Sequence, residues 1–123
     1  MIDMKTAWAE EASKLQHTIQ TYHPGQIQIN DITYTQPVIL CETQPLKHWP
    51  IDTLLDITPD MLNALSSIPT LILIGTGPHH QSIPLNLIAQ CMYPIEVMHT
   101  RAACQTYTVL SQEHRAVILA AFL

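Results

Sequence analysis

The spacing of apolar residues changes along the chain, and each change marks an element. Near the N-terminus Trp8, Ala12, Leu15 and Ile19 recur at i, i+4, i+7 and i+11, one face of a helix. This predicts a helical extension within residues 1–16, followed by a single domain over 17–123. After His23-Pro24-Gly25 the period drops to two: Ile27 and Ile29 alternate with Gln26, Gln28 and Asn30. Asn30-Asp31 supplies a tight turn, and Ile32 to Thr35 returns, so a β-hairpin is expected. Val38 to Cys41 is a third strand. Pro45 to Pro50 is expected to be irregular, and Asp52 to Asp56 to add a brief extended piece.

The second half alternates helix and strand. Thr58-Pro59-Asp60 is a helix start: a capping hydroxyl, a proline suited to the first turn and an acid that complements the dipole. Met61, Leu62, Leu65 and Ile68 supply its apolar face, and Pro69 stops it. Leu71 to Ile74 is a continuous apolar run, the pattern of a strand covered on both faces. Gly75-Thr76-Gly77-Pro78 turns the chain. Ser82 is expected to cap a second helix, with Leu85, Leu87, Ile88 and Met92 buried. Ile95 to Met98 is the next strand. Thr100 is expected to cap a third helix with Ala103, Tyr107 and Leu110 on one face. The tail from Arg115 to Leu123 is apolar on both parities, which fits a helix or a buried strand. This order argues for a sheet with helices packed on it.

Charge narrows the range of functions. Only 12% of the 123 residues are charged, about half the usual share. The surface is finished with other polar residues or covered by a partner. With a net charge of −5 and five Lys plus Arg, the chain has no basic run. The electrostatic footprint for nucleic acid is absent, and attraction to an anionic membrane surface is disfavoured. No apolar stretch approaches the roughly 20 residues needed to span a bilayer. The N-terminus has no secretory apolar region, and the expected location is cytoplasmic. Cys41, Cys91 and Cys104 are far apart and odd in number, which fits reduced thiols better than a disulfide framework or a zinc site.

Candidate chemistry concentrates in the C-terminal half. Gly75-Thr76-Gly77 follows a strand and precedes a helix, but position 80 is His80, where a dinucleotide fingerprint needs a third glycine. No phosphate-binding lysine follows, so a P-loop is excluded. The glycines are better read as a sharp exit from a buried strand. His79-His80 with His99 or His114 lacks a carboxylate at ligand spacing, so no metal is assigned. Cys104 with His99 or His114 lacks the surroundings of a nucleophile. Glu96 interrupts an apolar strand, while Glu113 and Arg115 precede another. An ion pair of Arg115 with Glu96 or Glu113 is expected, because burying a lone charge is costly.

Taken together, Gly75, Thr76, Gly77, Glu96, Met98, Thr100, Ala103, Thr106, Tyr107, Glu113 and Arg115 resemble the signature of the Mth938-like domain family. Trp49 resembles that family's tryptophan after the third strand. His99 stands where Asp is common, Thr108 where Asn is common, and His114 where Gly is common. The resemblance implies a three-layer α/β fold, a central mixed sheet flanked by helices with a small extra N-terminal β element. It also implies that the tail is a strand. It implies no established enzymatic activity, and no cofactor is expected; the mitochondrial member assists assembly of a respiratory complex through protein contacts. The leading expectation is therefore a non-enzymatic domain that binds another protein, or a second copy of itself. The alternative is a small-molecule or anion binder, or an unrecognised enzyme. Its site would form where Gly75, Thr76, Gly77, Thr100, Tyr107 and Arg115 converge at strand ends, with Glu96 and Glu113 beside them.

Overall fold

The computed structural model describes residues 17–123. The helix expected before them lies outside the described residues. Ile19, assigned by its spacing to that helical face, instead opens a strand, β1 (Ile19–His23). A bulge between Ile19 and Thr21 breaks its alternation, and Tyr22 is its one buried side chain, so periodicity alone gives no strand signal. The chain turns at Gly25, with φ at 88°, into β2 (Gln26–Ile29). Asn30 and Asp31 both take positive φ, 49° and 68°, as a two-residue hairpin turn requires, and β3 (Ile32–Tyr34) returns. These strands form a small antiparallel sheet in the order β1-β2-β3.

The central sheet contains β4 (Val38–Cys41), β5 (Gln44–His48), β6 (Leu71–Thr76), β7 (Ile95–Met98) and β8 (Val117–Phe122). Their order is β5-β4-β8-β6-β7. β6 runs parallel to β7 and β8, while β4 is antiparallel to β8 and β5, so the sheet is mixed. The expectation of an irregular Pro45–Pro50 segment is corrected by β5. Pro45 fits there because β5 is an edge strand, where a missing N–H breaks no central ladder. The tail is a strand, as the resemblance implied.

The helices are α1 (Pro59–Asn63), α2 (Leu85–Ala89) and α3 (Thr100–Gln112). The start of α1 is as expected: Thr58 Oγ1 accepts from the Met61 N–H at 3.2 Å, with Pro59 in the first turn. The extended piece expected over Asp52–Asp56 is instead a 3₁₀ turn, Leu54–Asp56. The Asp56 carboxylate holds it by accepting from the Thr53 N–H and hydroxyl, each at 3.1 Å. Ser82 does not cap α2, which starts at Leu85 after Pro84 without a side-chain cap. Leu85 and Met92, expected inside, are exposed, as is Ile68. Helices of five residues make little more than one turn, too short to bury a full apolar stripe.

Alternation along the central strands feeds two cores. Leu73, Leu119, Ala121, Val38 and Leu40 face α3 and the small sheet. Ile72, Ile74, Ile118 and Ala120 face the 3₁₀ turn, α1, α2 and the buried Trp49. Trp49 packs on Phe122 with ring centroids 5.1 Å apart. The result is the three-layer arrangement, with β6 and β8 covered on both faces.

The C-terminus of α3 closes in a Schellman motif. The Arg115 N–H reaches the Leu110 carbonyl at 3.1 Å, and the His114 N–H reaches that of Ser111 at 3.1 Å. His114 therefore takes φ of 60°, the left-handed region in which a Cβ is costly. This accounts for the glycine common at this position in the resembling family. Replacing His114 with Gly should raise unfolding stability by about 1 kcal/mol, measured by urea denaturation.

Candidate functional site

Four residues of the signature, Gly75, Thr76, Gly77 and Thr100, meet at the carboxyl end of β6. Gly75 pairs with Ala121 of β8 and Met98 of β7. A Cβ on Gly75 would lie 2.7 Å from Thr100 Oγ1 and 3.3 Å from Ala121 Cβ, so glycine is what lets α3 approach the sheet this closely. Thr100 is fully buried. Its hydroxyl accepts from the Gly77 N–H at 2.8 Å and donates to the Phe122 carbonyl at 2.5 Å. Its own N–H donates to the Gly77 carbonyl at 2.9 Å. One side chain thus joins the loop after β6, the first turn of α3 and the end of β8. Gly77, with φ at 95°, makes that loop geometry available. Thr76 Oγ1 donates to the His79 carbonyl at 2.6 Å and accepts from the Gln81 N–H at 3.2 Å, fixing the loop.

Thr100 is consequently not the cap of α3. His99 is, its Nδ1 accepting from the Ala102 N–H at 3.2 Å. The ring does there what an aspartate would do, which explains His99 at a position where Asp is common.

The remaining candidates do not join this cluster. Val117 pairs with Leu71 and Ala121 with Gly75, so Arg115 lies at the opposite end of the strands, about 13 Å or more from the glycines. The expected convergence of Arg115 with Gly75–Gly77 is corrected by this register. Glu113 is the last residue of the α3 turn and is exposed. Glu96 sits on the edge strand β7, facing solvent, where a charge discourages strand addition. Among the described residues no ion pair joins Arg115 to Glu96 or Glu113, which corrects the expected pairing; exposed at three separate places, they need none. Tyr107 is buried two turns along α3, among Tyr22, Leu40 and Leu119. Its hydroxyl has no hydrogen-bond partner among the described residues, and burial pushes its pKa up.

Arg115 has different neighbours. With His114 it lines a cleft of about 420 Å³ whose other walls are the turn from Cys41 to Gln44 and the loop from Ser66 to Thr70. Glu42 lines the same space. Sequence reasoning missed this grouping, because Glu42 and Arg115 belong to no shared motif and only the β4–β8 pairing brings their ends together. A second cleft, about 520 Å³, separates β1 from α3, and Arg101 stands over the Tyr22 ring there at 5.4 Å.

The model of the family described as "Protein of unknown function (DUF498/DUF598)" matches residues 19–122. The 13 kDa major membrane protein of Francisella tularensis is 36% identical over 101 residues, covering 78% of this chain and 82% of that protein. The chain belongs to the DUF498/DUF598 family. A Bordetella parapertussis protein of known crystal structure superposes with a TM-score of 0.78 at 26% identity, covering 89% of this chain and 98% of that one. A Bordetella pertussis protein described as a Mth938-like domain gives a TM-score of 0.70 at 22% identity, with 86% and 85% coverage. The fold is therefore Mth938-like, and the function of this DUF498/DUF598 chain is uncharacterised. Among the described residues no helix is long and apolar enough to cross a membrane.

Nucleophilic chemistry has little support in this DUF498/DUF598 chain. Cys104 is buried, and burial pushes its thiol up to about 12, outweighing the Arg101 guanidinium. His99 is engaged as a cap, and His114 lies at the other end of α3. In the native protein, iodoacetamide should label Cys41 and Cys91 and leave Cys104 unmodified until denaturant is added, read by peptide mass spectrometry. The Thr100 bridge gives a second expectation. Thr100→Val keeps the shape and strands a buried N–H and a carbonyl, which should cost about 3 kcal/mol. Thr100→Ser keeps the hydroxyl and should cost about 1 kcal/mol; chemical denaturation compares the two.

Proposed function

We propose that this protein is a non-enzymatic binding domain that docks on another protein, as an assembly factor for a membrane complex and from its cytoplasmic side. The observation that carries this reading is the surface of the short-helix layer. Leu55, Leu85, Met92 and Ile68 expose 89, 83, 74 and 56% of their surface there. Single exposed apolar residues are ordinary, but four large ones on one layer of a charge-poor domain mark a face that gains from being covered. The layer is built to hold them outward: the Met92 N–H is tied to the Asn63 side chain at 2.7 Å, and the Tyr93 hydroxyl to the Ser66 carbonyl at 2.7 Å.

Two further points support the same reading. The signature residues Gly77 and Thr100 bond to each other and Thr100 also to the Phe122 carbonyl, so this hydrogen-bonding capacity is spent on joining elements rather than left for a substrate. A relative named as a major membrane protein, with no membrane-crossing helix among the residues described here, fits a domain held at a membrane by its partner. The small-molecule alternative loses its expected location at the carboxyl ends of the strands and retains the cleft around Arg115.

The test is native electrophoresis of detergent-extracted host membranes carrying the tagged chain. The wild-type chain should migrate with a larger complex. The double variant Leu85→Glu, Met92→Glu should be released from it while its stability changes by no more than about 0.5 kcal/mol, since both sites are exposed. Migration of the wild-type chain as a monomer in every fraction would sink the proposal. Migration only as a dimer of itself would replace assembly with self-association.

A further inference from the structure

The cleft at the amino ends of β6 and β8 has the features of a ligand site. Its volume, about 420 Å³, lies within the range of small-molecule pockets. Leu65 and Ile118, both on the short-helix side of the sheet, give it an apolar wall. Glu42 and Arg115 both line it, yet among the described residues they form no ion pair with each other or with any other group. Glu42 is half-buried, and Arg115 is the cation that shares its cleft.

We propose that this cleft binds a zwitterion with an aliphatic side chain, of the class of the free aliphatic amino acids. The Arg115 guanidinium offers a planar fork to the ligand carboxylate. Glu42 accepts from the ligand ammonium. The aliphatic part lies against Leu65 and Ile118. An inorganic anion would satisfy Arg115 and be repelled by Glu42; a simple amine would do the reverse. Only a molecule carrying both charges answers both walls while covering the apolar one. This site shares Ile68 with the proposed docking face, and its test is read without reference to that one.

The test is an NMR titration of the full chain with four probes: L-leucine, leucinamide, 4-methylpentanoate and inorganic phosphate. L-leucine should move the backbone amides of Glu42, Ser67 and Arg115 saturably at millimolar concentration. Leucinamide lacks the carboxylate and 4-methylpentanoate lacks the ammonium, so each should bind about tenfold more weakly or worse. Arg115→Ala and Glu42→Gln should each weaken L-leucine about tenfold, with melting temperatures unchanged. The proposal is overturned if L-leucine gives no saturable shift, or if neither substitution alters its affinity. Equal binding of phosphate and L-leucine would also overturn it and leave a plain anion site.

Discussion

The fold depends on one close approach. At Gly75 the sheet lacks a side chain, and the first turn of α3 fills that gap with Thr100. The Thr100 hydroxyl then satisfies a donor from the loop after β6 and an acceptor at the end of β8. Neither bond is available to a side chain standing farther from the sheet. The approach and the bonds are therefore conditional on each other, a coupling that favours a single arrangement over looser ones. A buried hydroxyl with both roles filled stabilises modestly, whereas the same groups left unpaired are expensive. That asymmetry gives the junction its specificity.

From this junction the two faces of the sheet diverge in character. On one, α3 and the small sheet bury a continuous core, and the Leu123 carbonyl accepts from the Gly25 N–H at 2.6 Å and the Tyr22 hydroxyl at 2.9 Å. The small sheet is thereby tied to the last strand. The other face is covered by a 3₁₀ turn and two five-residue helices, which leave large apolar side chains in solvent.

Much of the architecture was legible in the chain. The Ile27/Ile29 alternation, the Asn30-Asp31 turn, the Thr58-Pro59 helix start and the apolar run at Leu71–Ile74 all lead to the elements found. What failed did so for local reasons. A bulge hid β1, an edge position allowed Pro45 into β5, and short helices left Leu85 and Met92 outside. The signature residues were recognised, but part of their roles was not. Thr100 is a bridge rather than a cap, His99 is the cap, and the Glu113–Arg115 segment is a helix terminus rather than an ion pair.

The sequence by itself determined the family, the order of elements and the glycines that permit a sharp exit from β6. The family rests on the resemblance of the signature residues; the elements and the glycines follow from periodicity and from residue types with restricted conformations, which act over a few neighbouring positions. Only the tertiary structure decided which charges share a space. Arg115 follows a helix and Glu42 follows a strand, and nothing local relates them. The antiparallel pairing of β4 with β8, set by burying Val38 and Leu40 against the core, puts them on one cleft and puts Gly75 at the other end of the sheet. Strand register is a property of the whole packed sheet, so the distance between two ends of one strand is plain in the sequence, while the company each end keeps is not.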